Sequence, residues 1–62
     1  MSDQPDARVR KLRHDIASPL AAILAETQLL LLNASDFDEE TVTALQTIET
    51  AVRRIRDLLA ES

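Results

Sequence analysis

Apolar residues recur along the first half of the chain at the three- and four-residue spacing that is typical of an amphipathic α-helix. They are Val9, Leu12, Ile16, Leu20, Ile23, Thr27 and Leu30. Leu24 and Leu31 widen this stripe, which indicates a helix that packs against more than one neighbour. Because proline and acidic residues suit the first turn of a helix, we predict that it begins near residues 3–5 and covers about residues 5–32.

The second half carries a stricter repeat, which is typical of the seam of a coiled coil or helical bundle. Its members are Leu45, Ile48, Val52, Ile55 and Leu59. Between the repeats, residues 33–37 (NASDF) contain Asn, Ser and Asp, whose side chains favour turns. We therefore predict a loop at about residues 33–37 and a second helix at about 38–60. Its N-cap is either Asp38, with Phe37 and Val42 as a hydrophobic staple, or Asp36 followed by Glu39.

Two helices joined by a short loop lie antiparallel, so the prediction is one all-α helical-hairpin domain over residues 1–62. At 62 residues, with no Cys and one His, the chain has neither disulfides nor a zinc cluster to stabilise a small core. Pairing two hairpins into a homodimeric four-helix bundle would cover both apolar stripes. The predicted dimer core is Leu12, Ile16, Leu20, Ile23, Leu45, Ile48, Val52, Ile55 and Leu59.

The composition narrows the function classes. The chain has no Gly and one aromatic residue, which favours long helices over sheets, and its net charge of −4 argues against binding to nucleic acid or anionic membranes. The longest aliphatic run, residues 29–32, is too short to span a bilayer, and the N-terminus lacks the apolar core of a signal peptide. We predict a cytoplasmic segment without membrane contact, a location that is compatible with a longer, membrane-anchored protein.

His14 lies roughly 160° from the mean direction of the first apolar stripe, which predicts that it faces solvent. By itself this is typical of an ordinary surface histidine. Its neighbours change the interpretation, because Ser18, Ala21 and Ala25 share the same outward face and would give a partner close access. Asp15 lies about 100° away and can flank the imidazole without blocking it.

Pro19 interrupts the predicted helix within two turns of His14. A proline in a helix interior removes the hydrogen bond to the carbonyl four residues earlier, here that of Asp15, and costs on the order of 3 kcal/mol. It also disfavours helical geometry at the preceding residue, Ser18. The pattern indicates either a tolerated kink in a bundle helix or a strained turn that serves the histidine.

Basic residues are confined to one end of the predicted hairpin, the end that contains His14. They are Arg8, Arg10, Lys11, Arg13, Arg53, Arg54 and Arg56, whereas Asp36, Asp38, Glu39 and Glu40 lie at the loop end. The helix dipole accounts for this distribution along the second helix but not for the basic cluster early in the first. The cluster predicts attraction of phosphate groups or of an acidic partner near His14.

Residues 12–20 closely resemble the H-box of sensor histidine kinases, in which His is followed by an acidic residue, an aliphatic residue and, after two further positions, Pro-Leu. The segment is Leu12, Arg13, His14, Asp15, Ile16, Ala17, Ser18, Pro19 and Leu20. The helical hairpin resembles the dimerisation and histidine phosphotransfer domain of that family. The resemblance implies a homodimer in which His14 accepts a phosphoryl group and passes it to an aspartate of a response-regulator receiver domain.

The resemblance also implies roles for the residues around His14. Asp15 would orient or deprotonate the imidazole, and Pro19 would loosen the helix. Ser18 stands where these kinases usually carry a Thr or Asn that positions water for dephosphorylation, so the phosphatase reaction is an open question. Ala17 replaces a residue that is often Arg or similarly polar. Partner contacts are expected at Arg10, Arg13, Ala17, Ala21 and Ala25.

The sequence has no Gly-rich lid and none of the Asn or Asp-Gly motifs that bind ATP and magnesium. We therefore expect no cofactor on this chain, with ATP and magnesium held by a separate catalytic domain in cis or in trans. Two alternatives remain, a stand-alone histidine phosphotransfer protein and a non-catalytic homodimerisation module. An RNA-binding bundle is disfavoured because its basic residues would follow an exposed helical face.

Overall fold

The computed structural model describes residues 6–61, which form two long helices joined by a tight turn. Helix α1 spans Asp6–Leu32 and helix α2 spans Glu39–Glu61, with a 3₁₀ turn at Ala34–Asp36 between them. The hairpin is 54 Å long and 14 by 11 Å across. The all-α hairpin predicted from the two apolar repeats is therefore confirmed. The predicted helix start near residues 3–5 lies outside the described residues.

Asp38 is the N-cap of α2. Its Oδ1 accepts a hydrogen bond of 2.8 Å from the backbone N–H of Thr41, the third residue of the helix. This satisfies one of the N–H groups that the first turn of a helix leaves without a partner. Of the two N-caps that the sequence left open, the structure selects Asp38 over Asp36.

The cap makes the stability of the hairpin depend on pH. Hydrogen bonds from the Thr41 side chain, and then from its backbone N–H, lower the pKa of Asp38 from its ordinary 3.8. A lowered pKa in the folded state contributes stability that is present above pH 3.8 and is lost as the pH falls through the lowered value. We expect Asp38→Ala to lower the thermal midpoint at pH 7, and Asp38→Asn to retain most of it while losing this acid dependence. Circular dichroism melts between pH 7 and pH 2 measure both effects, and equal acid dependence in wild type and Asp38→Asn would contradict the assignment.

The seam between the helices has a thin core. Leu20 and Leu24 of α1 and Val52 of α2 are at most 9% exposed, and Ile16 and Leu59 pack against them. Thr27 is the buried polar residue of the seam, and its hydroxyl donates a 2.7 Å hydrogen bond to the carbonyl of Ile23. The buried hydroxyl therefore has the partner that burial demands.

The predicted dimer core divides into two surfaces. Leu20 and Val52 are buried inside the hairpin, and Ile16, Leu45 and Leu59 are partly buried. The other four remain exposed: Leu12 at 61%, Ile23 at 47%, and Ile48 and Ile55 at 41% each. Leu30, at 43%, lies on the same side of α1 as Leu12 and Ile23. We call Leu12, Ile23, Leu30, Ile48 and Ile55 the exposed stripe.

The exposed stripe occupies a single face of the hairpin. At 100° per residue, the side chains of the exposed stripe point about 80° away from the seam around the axis of their helix, and the direction of this rotation is the same on α1 as on α2. When two helices are antiparallel, side chains that are rotated from the seam in the same direction by equal angles lie on the same face of the pair. The opposite rotation leads to the other face, where Ala17, Ala21 and Gln28 of α1 and Arg56 of α2 meet. The hairpin thus has one face with large aliphatic side chains and, opposite it, a face with alanine and polar side chains.

By length and composition α1 could also cross a membrane. Its most apolar window, within Ala7–Leu32, has a mean hydropathy of 1.4, and 6% of that window is buried inside the chain. A core helix of a soluble bundle meets the same criterion, so the finding is weak evidence about location. The expectation of no membrane contact stays a prediction.

Candidate functional site

His14 lies on the exposed surface of α1, as the helical wheel predicts. It is rotated about 115° from the seam, toward the face opposite the exposed stripe. No hydrogen bond or ion pair joins its ring to another residue in the described part of the chain. The imidazole is therefore accessible to an incoming partner.

Asp15, the neighbour of His14, is engaged by Lys11. The Lys11 Nζ donates to the Asp15 Oδ2 at 3.0 Å, one helical turn apart, and both side chains are more than half exposed. Exposed ion pairs of this kind contribute little to stability because water solvates both charges well. The structure does not pair Asp15 with His14, but the contact with Lys11 is weak enough to be exchanged for another.

Ser18 and Pro19 are both exposed, and α1 continues through them without interruption. The unfavourable geometry expected at Ser18 does not end the helix. Because proline has no N–H, the carbonyl of Asp15 lacks its normal helical donor. The turn after His14 therefore has one backbone hydrogen bond fewer than an uninterrupted turn in the interior of α1.

A groove of about 330 Å³ runs between the helices on the face opposite the exposed stripe. Its lining is Ala17, Leu20, Ala21, Leu24, Ala25, Gln28, Val52 and Arg56. Three predicted partner-binding residues, Ala17, Ala21 and Ala25, thus come together on one wall. The groove begins one turn after His14, so an occupant of the groove would lie beside the imidazole.

Polar side chains meet at the end of the groove nearer the loop. Gln28 Nε2 lies 3.4 Å from Glu49 Oε2, which connects α1 to α2. The same oxygen accepts a hydrogen bond from Arg53 Nη2 at 3.2 Å. Glu49 therefore joins the two helices and neutralises one of the three arginines near the C-terminal end of α2.

The remaining predicted partner-binding residues, Arg10 and Arg13, do not line the groove. Arg10 is exposed near the start of α1. Arg13 is half-buried, and its Nε is shielded from solvent without a hydrogen-bond partner among the described residues. Arg13 therefore packs partly against the seam, which agrees with its position on the helical wheel. Only part of its side chain is available to a partner.

The two polar residues that line the groove, Gln28 and Arg56, were not among the predicted contacts. Gln28 could have been found from the sequence, because it continues the row of Ala17, Ala21 and Ala25 with a spacing of three. Arg56 could be identified only from the pairing register between the helices, which places it opposite the turn containing Leu20. The repeat pattern alone does not define that register.

No group of three or more side chains that could hold a metal ion occurs in residues 7–61. No curated protein and no solved structure matches the chain significantly. The family model described as the His Kinase A (phospho-acceptor) domain matches residues 7–62, which is nearly the whole chain and includes both helices. The chain therefore belongs to the His Kinase A phospho-acceptor domain family, the phospho-accepting dimerisation domains of histidine kinases.

Proposed function

We propose that this phospho-acceptor domain takes its phosphoryl group on His14 and passes it to an aspartate of a response-regulator receiver domain. The observation that carries the proposal is the accessibility of His14: it is the one histidine of the sequence, and in a matched phospho-acceptor domain its ring is exposed and has no partner among the described residues. An acceptor must reach both a donor and a receiver in turn. An exposed imidazole beside a groove meets both requirements.

In the proposed reaction an unprotonated ring nitrogen of His14 attacks the γ-phosphorus of ATP held by a separate catalytic domain, with magnesium bound there. A nitrogen–phosphorus bond forms as the bond to the ADP oxygen breaks, and ADP leaves. The receiver carboxylate then attacks the same phosphorus, and the imidazole is the leaving group. Both steps use the neutral imidazole, first as the nucleophile and then as the leaving group.

Asp15, Ser18 and Pro19 have supporting roles in this proposal. Asp15 exchanges its weak contact with Lys11 for the ring N–H of His14 and thereby orients the attacking nitrogen. Pro19 leaves the carbonyl of Asp15 without a helical donor, so the turn carrying His14 can adjust as each partner docks. The exposed hydroxyl of Ser18, one turn from His14, is available to bind a water that hydrolyses the phosphorylated receiver.

The receiver docks on the groove-bearing face. Ala17, Ala21 and Ala25 present only methyl groups there, so a partner helix can approach closely. The groove lies next to His14, and a receiver seated in it brings its aspartate to the phosphorylated ring. The basic residues early in α1 attract the acidic partner and its phosphoryl group.

A second copy of the chain covers the exposed stripe. Phospho-acceptor domains of this family are homodimers in general, and five large aliphatic side chains on one face exceed what a small monomer usually exposes. Pairing the stripes of two hairpins forms the four-helix bundle. The groove and His14 remain outside, because they lie on the opposite face. We place the domain in the cytoplasm, where these domains typically work, attached to a sensor in cis or served by a kinase in trans.

The exposed stripe would equally suit a module that only dimerises, so the test must detect phosphate. The dimer is incubated with the catalytic domain of a histidine kinase and ATP labelled at the γ-phosphate. We expect one label per chain that is labile in acid and stable in alkali, as phosphohistidine is, and no label in His14→Ala. Since the sequence contains one histidine, the acid lability identifies the residue.

Circular dichroism of His14→Ala serves as the control, and we expect an unchanged spectrum because His14 is exposed. Label that persists in the folded His14→Ala variant would exclude His14 as the acceptor. Absence of label on the folded wild-type dimer with every catalytic domain tried would favour the module that only dimerises.

A further inference from the structure

The groove carries positive charge at one end only. At the end nearer the loop, Glu49 contacts both Gln28 and Arg53, so the polar groups there satisfy one another. At the other end Arg56 lines the groove, and no hydrogen bond or ion pair joins its guanidinium to any residue in the range 7–61. Between the two ends the walls are aliphatic: Leu20, Leu24 and Val52.

We infer that Arg56 is a specificity-determining residue of the groove and binds a carboxylate on the receiver domain that docks there. The inference rests on the proposed function, since it needs a receiver in the groove. It adds two statements to that function. Arg56 is the residue of α2 that distinguishes one receiver from another, and the preferred receivers carry an acidic residue at this contact.

The reason lies in solvent exclusion. While the groove is open, water solvates the guanidinium. An occupant that covers Leu20, Leu24 and Val52 also removes water beside Arg56, and an uncompensated charge at such a place opposes docking. A carboxylate in register restores the lost interactions through two parallel N–H donors. A receiver with an apolar or basic residue at that position leaves Arg56 desolvated and unpaired, which discriminates against it.

The asymmetry of the groove also sets the direction of docking. Arg53 lies one turn before Arg56 on α2, but Glu49 neutralises it. An acidic group on the occupant therefore gains little at the loop end and most at Arg56. Since the end lined by Arg56 is the one nearer His14, the contact orients the receiver toward the phosphorylated ring.

Transfer kinetics test this inference. The full chain is phosphorylated on His14, and its transfer to the receiver domain that accepts phosphate fastest from wild type is measured at increasing receiver concentration. We expect Arg56→Glu to raise the KM about tenfold or more, with kcat at saturation nearly unchanged, because the contact serves docking and not the chemical step. Arg56→Lys should lie between the two, since lysine keeps the charge but lacks the paired donors.

Arg54→Glu is the matched control. It makes the same change of charge two residues away on α2, but Arg54 does not line the groove. We expect its KM to stay within about twofold of wild type, as for a charge at the rim. A rescue arm replaces exposed acidic residues of the receiver with lysine one at a time, and we expect one of these variants to restore the KM of Arg56→Glu.

The outcomes separate the inference from the proposed function. Failure of wild type to transfer its label to any receiver would contradict the proposed function. Normal transfer by wild type, with equal changes of KM in Arg56→Glu and Arg54→Glu, would overturn the inference alone. It would indicate that the net charge of α2 affects docking and that Arg56 makes no specific contact. A loss of kcat at unchanged KM in Arg56→Glu would also overturn it, and circular dichroism of each variant excludes misfolding as the cause.

Discussion

Replacing Ile48 with lysine is expected to raise the dissociation constant of the proposed dimer by about 100-fold or more. Ile48 is 41% exposed in the single chain and belongs to the exposed stripe, so the second copy would bury it. By twofold symmetry each dimer would then hold two lysines in an apolar interface without counter-charges. Analytical ultracentrifugation over a range of concentrations measures the change.

Leu32→Lys is the control for this prediction. Leu32 is 80% exposed and lies on the opposite side of α1 from the exposed stripe, so the same charge placed there should leave the dimer intact. Secondary structure must be followed in parallel, because a hairpin with so thin a core can unfold once its partner dissociates. Equal dissociation of the two variants, or an intact Ile48→Lys dimer, would show that the exposed stripe is not the dimer interface.

Leu24→Ala is expected to lower the free energy of unfolding by about 2 to 3 kcal/mol. Leu24 is 9% exposed and is one of three buried hydrophobic side chains among residues 7–61. With so few neighbours, the surrounding structure cannot repack to fill the cavity, and a thin core loses a large part of its apolar contacts. Urea denaturation followed by circular dichroism measures the change at a fixed chain concentration.

Leu29→Ala makes the same chemical change on the same helix at a residue that is 56% exposed. It should alter the free energy of unfolding by less than about 0.5 kcal/mol, since little apolar surface is lost there. The comparison removes the contribution of helix propensity, which both variants share. A similar cost for both would indicate that the seam around Leu20, Leu24 and Val52 is not the core of the hairpin.

Both predictions depend on a distinction that the sequence leaves unresolved. The three- and four-residue spacing identifies the apolar side of each helix, but this side is too wide to face a single neighbouring helix. Leu20 and Ile23 belong to the same repeat, yet one is buried in the seam and the other is exposed. A rotation of about 60° around the axis separates them, and only the packing of α2 decides which faces it.

The candidate site shows the same division. The exposure of His14 follows from its angle to the apolar residues of its own helix, so it was predictable without tertiary contacts. The contact of Asp15 with Lys11 is also local, at a spacing of four, although the wheel alone does not choose Lys11 over His14 as the partner. Arg13 was expected on the partner surface, but its half-buried position depends on how α2 covers that side of α1.

The amino-acid sequence by itself determined the two helices, the turn and the outward position of His14, because each follows from periodicity, capping and turn propensity within a few residues. The tertiary structure decided the pairing register, and with it the groove between Ala17, Ala21 and Arg56, the cluster around Glu49, and the separation of the seam from the exposed stripe. Register depends on interactions between residues more than twenty positions apart. Repeats with similar aliphatic side chains on both helices are compatible with several such alignments, so only the packed hairpin selects one.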